Sequence, residues 1–172
     1  MRAWLITVVL LALSGCASLP DGFTMYPQPL GQDQKPPEGM AVVLVGVVGP
    51  GEVDYMQFNH SSLPAINVRF PPRADSIVAI PMPVGIRDLK LSTITLKGRP
   101  GFYLGSVAAG FTAVHTHRID LAKPGLYYLA TLDTSQPGKY VDKPIPLQLK
   151  ELRARHTGLQ SIQPVNFAWP TD

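Results

Sequence analysis

The chain has 172 residues, with 15 Lys plus Arg set against 12 Asp plus Glu and a formal charge of +3. So even a balance offers no clustered basic face and gives no basis for nucleic-acid binding. Eighteen prolines and fifteen glycines argue against long helices and favour short strands separated by turns, in a length that suits one domain with a real core rather than two.

The first element is a targeting segment. Arg2 supplies a positive start, Ala3 to Leu13 are apolar, and Leu13-Ser14-Gly15-Cys16 closes the run at the chain's single cysteine. An apolar stretch this short cannot cross a bilayer that needs ~20 residues, so it reads as a secretory signal. The arrangement resembles a bacterial lipoprotein signal. The resemblance implies cleavage before Cys16, a diacylglyceryl group on its thiol and often a further acyl chain on the new amino group. At about 0.8 kcal/mol per buried methylene, two or three chains hold a protein close to permanently where one does not. Lipidation also removes a lone thiol that has no partner for a disulfide in an oxidising compartment. Ala17, rather than Asp, follows the cysteine, which in a Gram-negative cell favours the outer membrane, facing the periplasm or the surface.

Residues 16–39 then carry the expected lipidated cysteine and a tether rich in Pro20, Pro27, Pro29, Pro36 and Pro37. Such a spacer is extended at ~3.1 Å per residue. Residues 40–172 are the expected single domain. Met40 to Val48 is a near-continuous β-branched run ending in Gly49-Pro50-Gly51, the pattern of a central strand buried on both faces. Ile66, Val68 and Phe70 alternate with Asn67 and Arg69 as a half-buried strand stopped by Pro71-Pro72. Ile77 to Ile80 and Ile86 to Leu96 follow. In the latter, Leu89 and Leu91 share one parity while Ile94 and Leu96 share the other, so a bulge is expected near Ser92-Thr93.

Phe102 to Val107, Thr112 to Leu121, and Leu126 to Leu132 after the turn Lys123-Pro124-Gly125 are the next expected strands. Leu149, Leu152 and His156 fit a helical face, and Glu151 with Arg155 has i, i+4 spacing, which predicts a short helix over about 147–156 ended by Gly158. Val165, Phe167 and Trp169 share a parity and predict a last strand over 162–169. The fold class expected is mainly β: an antiparallel β-sandwich, immunoglobulin-like or transthyretin-like, with one short C-terminal helix.

The order Ile80-Pro81-Met82-Pro83-Val84-Gly85, then His117-Arg118-Ile119-Asp120-Leu121 running into Lys123-Pro124-Gly125-Leu126-Tyr127-Tyr128-Leu129, resembles small bacterial lipoproteins with β-sandwich domains over roughly residues 40–160. That resemblance carries no catalytic residues.

His115 and His117 are the residues that suggest chemistry. Two apart on a strand, they would share a face and offer two nitrogens to Zn²⁺ or Cu²⁺. A catalytic zinc needs about three protein ligands, for which His60, Asp120 and Asp133 are the remaining choices. A pair of partly exposed strand histidines is the simpler reading. The serine-hydrolase elbow G-x-S-x-G is absent, and Gly49-Pro50-Gly51 lacks the lysine and helix of a phosphate loop. The expectation is therefore a lipid-anchored envelope module, non-catalytic and without a cofactor. Its partners would be the membrane through Cys16 and an envelope protein, peptidoglycan or small ligand. The alternative is a metal-binding protein or metal-dependent enzyme using His115 and His117.

Overall fold

A computed structural model describes residues 27–61, 65–69, 76–96, 112–113, 117–135, 140–141 and 143–171. Within them lie eight strands: β1 (Met40–Val48), β2 (Val53–Asn59), β3 (Ile66–Arg69), β4 (Ser76–Pro83), β5 (Lys90–Leu96), β6 (Thr112–Ala113), β7 (Gly125–Asp133) and β8 (Tyr140–Val141). One helix, α1 (Pro146–Arg155), is followed by a 3-10 turn at Thr157–Leu159. The strands form two four-stranded sheets, ordered β4-β1-β7-β8 and β3-β2-β5-β6. Cys16 and the rest of the expected signal segment lie outside the described residues, as does the strand expected over 102–107. Among the described residues no helix is long and apolar enough to cross a membrane.

The chain repeatedly crosses between the sheets, and their facing sides share one apolar core. Val43, Val45 and Val47 of β1 meet Met56 and Phe58 of β2, Val68 of β3, Ile80 of β4, Leu91 and Ile94 of β5 and Leu129 of β7. The alternate residues of the first sheet, Val42, Leu44, Ile77, Ala79, Leu126 and Tyr128, face the other way into a second core closed by Leu149 and Leu152 of α1, Leu159 and Leu30. Both faces of β1 are therefore dry, as its sequence predicted.

The expectation of a purely antiparallel architecture is corrected in the first sheet. β1 is antiparallel to β4 but parallel to β7, pairing Ala41 with Gly125 and Val48 with Asp133. The physical reason is in the same pattern: β1 and β7 are continuous hydrophobic runs, and parallel neighbours require cover on both faces. A parallel pair also needs a long crossover, here supplied by the excursion through the second sheet.

The edge strand β4 is protected by its own sequence. Pro81 and Pro83 occupy the parity whose backbone groups point away from β1, where a missing N–H costs the ladder nothing. Ala79 has the same parity, and its carbonyl accepts the Leu30 N–H at 2.7 Å. The described part of the expected tether thus packs on the domain: Leu30 is buried, Thr157 Oγ1 donates to Asp33 Oδ1 at 3.3 Å, and Gly158 sits where a Cβ would lie 3.1 Å from Lys35.

The expected short helix is present and the expected last strand is not. The helix runs over Pro146–Arg155, and its stop comes at His156, which leaves helical geometry with φ −119° while its N–H still donates to the Leu152 carbonyl, two residues before the expected Gly158. The tail 162–169 is not a strand. It meets β7 through one bridge, Leu126 with Pro164, and then through the Asn166 side chain, whose Oδ1 accepts the Tyr128 N–H at 2.8 Å and whose Nδ2 donates to the Tyr128 carbonyl at 2.7 Å. Beyond this bridge the Asn166 amide takes the place of a peptide group opposite Tyr128, offering both an acceptor and a donor.

Candidate functional site

Three segments converge at one end of the second sheet. β2 ends at Asn59, which pairs with Lys90 at the start of β5. The loop before β5 and the segment 117–121 are zipped by Gly85 N–H to Leu121 O at 2.8 Å, Leu121 N–H to Ile86 O at 2.9 Å and the reciprocal pair between Leu89 and Ile119. Asp88 takes a positive φ of 55° there, a conformation uncommon for a residue with a side chain. Its N–H is held by Asp120 Oδ1 at 2.9 Å, and Ser61 donates through both N–H and Oγ to the Arg87 carbonyl at 3.3 Å.

Between these segments lies a notch of about 250 Å³ lined by Asn59, His60, Ser61, Asp88, Lys90 and Arg118. Arg118 Nη1 approaches Asp88 Oδ1 to 3.7 Å, with the two side chains 62% and 52% exposed. An ion pair that wet contributes at most about 1 kcal/mol. The guanidinium is therefore cheaply drawn away by a competing anion. Lys90 and Arg118, set against Asp88, make a wall suited to a carboxylate or phosphate group.

The residues nominated from sequence separate into two groups. His60 lines the notch, His117 immediately precedes Arg118 and is half-buried, and Asp120 supports the Asp88 loop. Asp133 lies at the opposite end of the molecule, opposite Val48, where its Oδ1 accepts the Ser135 N–H and Oγ–H. His115 falls outside the described residues. Among the described residues no three His, Cys, Asp or Glu side chains are grouped to hold a metal ion. The strand expected over 112–121 is described as a strand only at Thr112–Ala113, and Ile119 joins Leu89 by an isolated bridge.

Lys90, Asp88 and Arg118 were missed from sequence because each reads as an ordinary exposed polar residue. Only the fold brings the start of β5 against the 117–121 segment. Comparison of the chain with protein-family models, with curated proteins and with solved structures finds no match.

Proposed function

We propose that the chain is a lipid-anchored cell-envelope lipoprotein, attached through Cys16, whose two-sheet domain is a non-catalytic module that binds an envelope partner. The observation that carries this reading is the run Leu13-Ser14-Gly15-Cys16 behind a short apolar segment with Arg2 at its head. The chain between Cys16 and Pro27, where described packing begins, spans at most about 40 Å even when fully extended. A domain held on so short a leash works near the membrane surface. Of the partners open to such a module, the notch favours one that presents an anionic group, through Lys90 and Arg118. The alternation of the chain between two facing sheets supports an immunoglobulin-like or transthyretin-like type, with the parallel β1–β7 pair as its departure from an all-antiparallel plan.

Metabolic labelling with a fatty-acid analogue tests the anchor. The wild-type chain takes up label and fractionates with membranes, and Cys16→Ser abolishes both. Label retained in that variant overturns the reading. Crosslinking in membranes followed by co-purification tests the notch: Lys90→Glu with Arg118→Glu should remove the partner that the wild-type chain captures.

A further inference from the structure

The outer layer, on the side of the first sheet turned away from the second, carries a basic and partly apolar surface. Gln148, Leu149 and Leu152 turn inward from α1, which leaves Leu147, Lys150 and Ala154, at i, i+3 and i+7, as its outward ridge. Leu147 is 66% exposed. Beside the ridge, Lys150, Arg153 and Ala154 form one wall of an open cleft of about 350 Å³, and Gln160 and Pro170 form the other. Gln160 Nε2 donates to the Arg153 carbonyl at 3.1 Å, which ties the two walls together. The Arg153 guanidinium stands 5.6 Å from the centre of the Trp169 ring and is steadied by its π face. The described lining thus holds two exposed cations and no carboxylate, and Glu151 projects from the opposite flank of the ridge.

Two further observations say what this surface meets. Every large apolar side chain left exposed among the described residues, Val141, Leu147 and Val165, belongs to the first sheet or to the layer over it. The chain toward Cys16 leaves from the same layer: Leu30 is part of the outer core, Asp33 accepts from Thr157, and Lys35 lies against Gly158 just past the end of α1. The reach from Cys16 to Pro27 is at most about 40 Å, roughly the breadth of a domain this size. A leash no longer than the body it holds keeps the side it starts from nearest the lipid.

We propose that this layer is the membrane-facing side of the domain and that Lys150 and Arg153 take the phosphate groups of anionic phospholipid, a reading that rests on the anchor at Cys16. Arg153 suits a phosphodiester by its paired donors and Lys150 by its point charge, and each such cation at an anionic surface strengthens attachment about fivefold. The apolar face of α1 is already spent on the outer core, so the helix lies at headgroup depth and does not sink among the acyl chains. Leu147 meets the interface at that depth. The domain then holds one orientation, with the second sheet and its notch turned away from the membrane, toward an approaching partner.

Trp169 reports the contact, and Trp4→Phe leaves it the one tryptophan whether or not the signal is removed. The Trp4→Phe chain, isolated from bacterial membranes, is reconstituted into vesicles of phosphatidylcholine with or without an equal part of phosphatidylglycerol, each carrying a trace of lipid with a nitroxide on its headgroup. Flotation reports the anchor. The ratio of Trp169 fluorescence with and without the nitroxide reports the docking, so a direct effect of a variant on the ring cancels. The chain floats with both kinds of vesicle, but the nitroxide quenches Trp169 only with the anionic lipid, and high salt relieves the quenching. Lys150→Glu, which leaves the Arg153 contact with Trp169 in place, reduces the quenching, and Lys150→Glu with Arg153→Glu abolishes it; both variants still float. Lys90→Gln, in the notch, changes nothing. A floating chain whose Trp169 is unquenched, quenched equally on neutral vesicles, or indifferent to both charge reversals overturns the docking and leaves the anchor standing. Flotation with the anionic vesicles alone, with quenching, overturns the anchor and upholds the headgroup site. A chain that floats with neither overturns both.

Discussion

His156 shows how one residue can link several parts of the molecule. It caps α1, faces Gly31 and Asp33 of the N-terminal segment, and lines a cleft beside β4. Burial is the largest influence on its imidazole and pulls its pKa below the ordinary 6.5; the Arg155 charge acts the same way. The Gly31 backbone and the Asp33 carboxylate oppose them without reversing the direction. The sign follows from proton counting. Below about pH 6.5 the unfolded chain takes up a proton that the folded chain still refuses, so stability falls as pH falls through the unfolded value and levels off below the folded one. Above it both states are neutral and the group contributes no pH dependence. Denaturant titrations at pH 7.5 and pH 5 should therefore show a larger loss of stability in the wild-type chain than in His156→Gln. Equal losses would show that the ring titrates normally in the fold.

At the scale of elements, the tail and β7 form the most specific contact. Asn166 satisfies both backbone groups of Tyr128, while Val165 N–H and Gln163 O satisfy those of Leu126. Asn166→Ala leaves a part-buried donor and acceptor at the β7 edge and should cost about 1–3 kcal/mol of stability. It should also speed hydrogen exchange at the Tyr128 amide; unchanged protection there would mean that water replaces the side chain without loss. This contact also explains which parts of the fold the sequence revealed. β1 and β7 were legible because strands dry on both faces must be written in apolar residues throughout. The bulge in β5 was legible as a parity switch, and the register does jump there: Gln57 pairs with Thr93 and Phe58 with Leu91, while Ser92 Oγ bonds the Gln57 carbonyl at 2.9 Å. β2 was missed for the same kind of reason. A register shift between Val53 and Tyr55 puts buried Val53 on one parity and buried Met56 and Phe58 on the other, so seven residues hold no clean alternation. The tail misled because Val165, Phe167 and Trp169 alternate as a strand would, although past one bridge the Asn166 side chain, and not the main chain, pairs with Tyr128. Of the notch, the sequence offered His60, His117 and Asp120 as isolated possibilities; the distance that joins Asp88 to Arg118 is a product of long-range zipping that no local pattern encodes.

For the whole molecule, the first sheet is the shared wall of two cores. Val43 and Val45 face the second sheet, whereas Val42 and Leu44, one residue away on the same strand, face α1 and the tail. Complete burial of side chains such as Leu149 and Leu152 is worth about 1.5–3 kcal/mol each. The outer layer is thus a large part of what keeps β1 and β7 dry. Gly46, in the middle of β1, fits the same tight assembly: a Cβ there would lie 2.5 Å from Thr131 Oγ1 and 2.8 Å from Gln148 Oε1. Removing the layer would expose a largely apolar sheet face, with the Thr131 and Tyr128 hydroxyls among its few polar groups, so the layers should unfold together. Trp169 reports on this directly, being one of only two tryptophans, the other of which is Trp4 in the proposed signal segment. Its ring packs edge-on against Phe167 at 5.5 Å, carries the Arg153 guanidinium at 5.6 Å and joins the outer core. In a urea titration of residues 17–172, which leave Trp169 as the one tryptophan, its fluorescence and the far-ultraviolet strand signal should trace one transition with one midpoint. A fluorescence change that precedes the loss of strand would mean that the outer layer melts on its own, and that the two cores are coupled only by the chain that runs between them.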